Sequence, residues 1–153
     1  MDLSRDPMRP GVIVGGVAAG IHLAMTGWME VNRLLAMRTP GGVDRYPIDT
    51  GPPLYWLLIW YVGPIIALLV AFAVVHHREE HPLQVLAGFL AGGVLFGLIA
   101  GLRPLFWDSD LGTYAVIFLG NTVRYAVLFG GAAAVGALGA RAFTMLREET
   151  EFG

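Results

Sequence analysis

This sequence predicts an all-α integral membrane protein, a four-helix transmembrane bundle with glycine-rich helix contacts, from three observations. Of its 153 residues 56% are apolar and 14% charged, where a soluble domain carries about a quarter charged residues. The apolar residues gather in four stretches of the length a helix needs to cross a hydrocarbon core of about 30 Å. None of the four alternates like a strand, and open sheet edges do not survive in lipid. The same composition excludes a disordered chain and a nucleic-acid binder with a basic face.

The first span is expected over 11–29, with a helical pattern that continues to Met37. Its leading segment MDLSRDPMRP mixes acids with arginines, and no small-residue cleavage site precedes polar sequence. It therefore reads as a retained helix rather than a signal peptide. The second span, 54–75, is bounded by Pro52-Pro53 and by the histidine cluster from His76 to His81. Its Gly63-Pro64 pair predicts a kink. The third, 83–102, is punctuated by Pro82 and Pro104. The fourth covers 112–140 and leads into a charged tail, read as a frayed helix end. Together they make one transmembrane domain over 1–153 with short polar termini.

An even number of spans places both termini on one side of the membrane. Arg5, Arg9, Arg78, Arg141 and Arg147 lie on that side, against Arg33, Arg38, Arg45 and Arg103 on the other. Five against four points to cytoplasmic termini in the cell membrane under the positive-inside rule. Trp28, Tyr55, Trp56, Trp60, Phe106, Trp107 and Tyr114 gather towards the other side, as rings with a polar tip do at the headgroup level.

Glycines recur at four-residue spacing, which puts them on one helix face as a groove where another backbone can approach. The rows are Gly11 with Gly15, Gly16 with Gly20, Gly88 with Gly92, and Gly93 with Gly97 and Gly101. The fourth span adds Gly112, Gly120, Gly130, Gly131, Gly136 and Gly139. The second span has no such row and carries bulky side chains, so it is expected to face lipid.

Polar residues within spans need partners. His22, Thr26, Glu30 and Arg33 fall within an arc of about 80° on the first helix, and Tyr114, Asn121, Arg124 and Tyr125 within about 100° on the fourth. Counting rise per residue allows Glu30 to meet Arg124 with Asn121 nearby. Such a pair would fix helix register. Alternatively it would form a site for an ion, proton or anionic headgroup, with Arg124 as fixed cation, Glu30 as carboxylate and His22 as relay.

His77, Glu80 and His81 spell H-x-x-E-H, the inverted zinc-protease pattern. Pro82 follows at once in a short loop with no third ligand, so the string reads foremost as a solvated turn. Asp108 and Asp110 stand in the other short loop, beside Trp107 as an interface anchor. His22 is a haem ligand only if a second buried histidine is supplied from elsewhere. No lysine is present and all ten basic residues are arginine, so no lysine Schiff base can form. The absence of cysteine removes disulfides, thiolate metal sites and a thiol nucleophile.

No cofactor is called for, no nucleophile–base pair stands out, and the expected partners are the lipid bilayer, further copies of the chain or other membrane subunits. The functional expectation is a non-catalytic subunit or scaffold of a membrane complex or homo-oligomer. A small oligomeric transporter or channel for an ion, proton or small solute is the alternative.

Overall fold

The structure, a computed structural model, describes residues 6–41, 53–78, 81–102 and 110–152. All four spans are α-helices: α1 Arg9–Arg38, α2 Pro53–Arg78, α3 Pro82–Ala100 and α4 Leu111–Phe152. Each is long and apolar enough to cross a membrane.

Local sequence sets the ends. Pro10 sits in the first turn of α1, where its missing N–H leaves nothing unpaired. The helix stops at Thr39, which is extended at φ −109° and ψ 127° because Pro40 disfavours helix in the residue before it. Pro82 opens α3 after an extended His81. α2 runs through Pro64 as continuous helix. The tail beyond Ala140 does not fray at once: α4 stays helical to Phe152, as its methionine, leucine, arginine and glutamates favour.

Asp110 caps α4. Its Oδ1 accepts the Thr113 backbone N–H at 2.9 Å and its Oδ2 accepts the Thr113 hydroxyl at 2.7 Å. These two hydrogen bonds, the backbone one first, hold its carboxyl below the ordinary aspartate range. A depressed carboxylate stabilises the fold above its unfolded-state pKa and loses that contribution as pH falls through the lower folded value. Thermal melting of wild type should therefore fall between about pH 4 and more acid conditions by more than that of Asp110→Ala. Parallel melting curves over that range would remove the cap from the account.

The contacts fix the order of the helices around the bundle. α3 packs on both α1 and α4, α2 packs on α4 and more lightly on α1, and α1 and α4 stand on a diagonal. Gly11 faces Gly88 and Gly15 faces Gly92, so α1 and α3 run parallel. Gly93 meets Tyr125 and Ala126 while Gly97 meets Thr122, so α3 and α4 run antiparallel. Gly63 meets the Phe129 side chain and Gly136 meets the Leu68 carbonyl, giving α2 the direction of α4. The chain therefore passes up, down, up and down.

α2 does not simply face lipid. Ala67 and Ala71 are fully buried, with Val74 and Val75 nearly so, and they lie in one core with Ala133, Ala137 and Ala140 of α4. Alanine rows at helical spacing do here what glycine rows do on α3: they let two backbones approach.

Helix length sets depth. α3 has 19 residues, about 28 Å of rise, which matches the hydrocarbon core. α1 with 30 residues and α4 with 42 span about 45 and 63 Å, so both reach beyond it.

Candidate functional site

One residue from each helix meets in an aromatic centre. His22 of α1 is 2% exposed, and its ring lies 4.8 Å from Trp60 of α2 and 5.4 Å from Phe96 of α3. Tyr125 of α4 stacks on Trp60 at 5.6 Å with planes 14° apart, and stands edge-on to Phe96 at 4.6 Å. Phe129 closes the group at 5.6 Å from Phe96. Phe96 is five residues past the middle of α3, so this centre lies about 7 Å from the mid-plane on the side away from the termini. Rings fill the level where all four helices converge. Among the described residues the Tyr125 hydroxyl is buried without a hydrogen-bond partner.

Trp60, expected at the membrane surface, belongs to this centre. Trp28 is 65% exposed on the outside of α1. Tyr114 is half-buried, with its ring 5.8 Å from Phe118.

The two polar stripes do not converge. Glu30 accepts the Arg33 guanidinium on its own helix, with Nε at 2.8 Å and Nη2 also in contact. Arg124 instead donates from Nη2 to the Tyr61 hydroxyl at 3.3 Å, and its guanidinium carbon lies 5.7 Å from the Tyr125 ring centre. Two physical reasons separate Glu30 from Arg124. α1 and α4 are diagonal, and Glu30 is eight residues, about 12 Å, further along α1 than His22. Glu30 and Arg33 thus stand at headgroup level, while Arg124 stands at hydrocarbon depth on the exposed face of α4. The Thr26 hydroxyl donates to the His22 carbonyl at 2.7 Å, within its own helix. Asn121 is half-buried, with its carbonyl beside Gly97.

Such a part-buried pair of neighbours on one helix contributes little. Glu30→Gln should leave thermal melting in detergent nearly unchanged, and adding Arg124→Gln should give no coupling between the two. A large loss in the single variant, reduced in the double one, would restore the pair across helices.

The glycine rows differ in use. Gly88 faces the Met8 backbone, Gly92 faces Gly11 and Gly15, Gly93 and Gly97 face α4, and Gly101 faces the Phe118 side chain. Gly16 only touches the Leu95 side chain, at the distance of ordinary contact, and Gly20 faces open space. The packing row on α1 is Gly11 with Gly15.

His77 is exposed at the end of α2 and His81 is exposed before α3. Glu80, the loop 42–52 and the segment 103–109 with Asp108 lie outside the described residues. Among the described residues, no three His, Asp or Glu side chains form a group able to hold a metal ion.

The alanine rows and the aromatic centre are the features that reading the sequence missed. Alanine is ordinary in any apolar run, and the four rings align only once helix depths are known.

No family model, curated protein or solved structure matches the chain.

Proposed function

We propose that this protein is a non-catalytic scaffold or subunit of a cell-membrane assembly, with both termini cytoplasmic, joined to further copies or other membrane chains through its outward faces. The observation that carries this reading is the filled aromatic centre. Rings from all four helices occupy the level that an internal pathway would cross, and Glu30 and Arg124 contact Arg33 and Tyr61 rather than each other. A single bundle so packed offers side chains for contact rather than a reaction. Its outward apolar side chains, among them Val116, Leu119, Val127 and Leu138 on α4, are available to lipid or to another helix.

One observation favours a second reading. Arg124 is exposed at hydrocarbon depth, where a charge is costly without a partner or water. A transporter or channel built from this chain would therefore run between copies, lined by Arg124.

Native mass spectrometry after gentle extraction from the protein's own membranes separates the two. Stoichiometric co-extraction with other membrane chains supports the subunit. A homo-oligomer whose ion flux in proteoliposomes is abolished by Arg124→Gln overturns the scaffold in favour of transport.

A further inference from the structure

At the end of the bundle that carries both termini, α2 and α4 border an open cleft of about 590 Å³, lined by His76, His77, Arg141, Thr144, Arg147 and Glu148 among others. Among the described lining residues two guanidinium groups and two imidazoles stand with one carboxylate, a set that favours an anion over a metal cation. Guanidinium is the side chain whose planar fork fits phosphate oxygens.

The wall of the cleft is ordered. The Thr144 hydroxyl lies 3.0 Å from the Ala140 carbonyl, to which it can donate, and 3.4 Å from His76 Nδ1. The His76 ring is further held edge-on by Phe143 at 5.3 Å and by His77 at 4.8 Å. Thr144 is thus a positioning residue, and the binding groups are the guanidiniums and imidazoles.

Depth narrows the source of the anion. Arg141 is 16 residues, about 24 Å, along α4 from Tyr125, which lies about 7 Å across the mid-plane. Arg141 therefore stands about 17 Å from the mid-plane, just outside the hydrocarbon and at the level of lipid phosphates. Towards the membrane interior the cleft adjoins the half-buried Phe72, whose ring lies 5.8 Å from that of His76. An apolar flank below a cationic cleft matches an acyl chain below a phosphate.

We infer that this cleft binds the phosphate of an anionic membrane lipid, with Arg141 and Arg147 as its fixed cations and His76 and His77 as its side walls. The test is thermal melting of the full chain in detergent, titrated separately with dioleoyl phosphatidylglycerol, dioleoyl phosphatidylcholine and inorganic phosphate. Phosphatidylglycerol should raise the melting temperature saturably and well beyond phosphatidylcholine. Arg141→Gln should weaken that apparent affinity about tenfold, and Glu148→Gln should strengthen it by removing the opposing charge. Arg33→Gln, at the opposite surface, should leave it unchanged. Melting without lipid reports folding of each variant, and Arg147→Gln serves if Arg141→Gln folds poorly. Equal effects of the two lipids, or an undiminished phosphatidylglycerol effect in both arginine variants, overturn the inference. Stabilisation by inorganic phosphate alone, with the same arginine dependence, overturns the lipid as the source and assigns the cleft to the free anion.

Discussion

Gly92→Val should lower the melting temperature of the detergent-solubilised protein more than any conservative change on its outer surface. A side chain at Gly92 would meet the Gly11 carbonyl, and one at Gly15 would meet the Gly92 backbone. A neighbouring side chain can swing aside, but the obstacle here is backbone in two regular helices. The helices must part, and in lipid no hydrophobic drive pulls them back together, because separated faces are covered by acyl chains. What is lost is the dispersion of close contact along the whole α1–α3 interface. Overpacking costs about 1–3 kcal/mol in cores able to relax, and two rigid backbones belong at the upper end of that range. Gly15→Val should behave alike. Gly20→Ala is the matched control: it faces open space, and the gain in helix propensity is about 0.5–1 kcal/mol. The two substitutions should therefore move melting in opposite directions. If Gly92→Val melts with wild type, the backbone contact between α1 and α3 is wrong.

That contrast also marks what a sequence can disclose. The four spans were legible because an apolar run of membrane length has few alternatives in so uncharged a chain. The choice between Gly11 with Gly15 and Gly16 with Gly20 was not legible. The two rows have the same spacing and lie about 140° apart on one helix, and only the position of α3 decides between them. α2, with no glycine row and with bulky Trp, Tyr, Leu and Ile, reads as a lipid-facing helix, since alanines such as Ala67 and Ala71 declare themselves as a groove only when a partner such as α4 lies in it. The expected meeting of Glu30 with Arg124 failed for a related reason. Span ends do not give the heights of these residues, because α1 and α4 overshoot the hydrocarbon, and helix order around the bundle, which puts them on a diagonal, is not a local property.

The aromatic centre yields the second large effect, and it separates packing from chemistry. Phe96 is 1% exposed and touches the rings of His22, Tyr125 and Phe129. In an aqueous core Phe→Ala costs about 3–5 kcal/mol, part of it transfer from water. Within a membrane the unfolded helices remain in an apolar medium, so the transfer part falls away and the cavity and lost dispersion remain. Phe96→Ala should accordingly cost about 2–3 kcal/mol. Tyr125→Phe keeps the ring stacked on Trp60 and deletes a hydroxyl that has no partner among the described residues. Removing a buried, unsatisfied polar atom should leave melting unchanged or raise it by about 1 kcal/mol. The pair of variants is decisive because a filled core and a polar site make opposite demands on that oxygen. A core tolerates phenylalanine and fails with alanine at Phe96. A site that moves protons or holds water needs the hydroxyl, and Tyr125→Phe would then lose stability or flux even though every ring contact is retained.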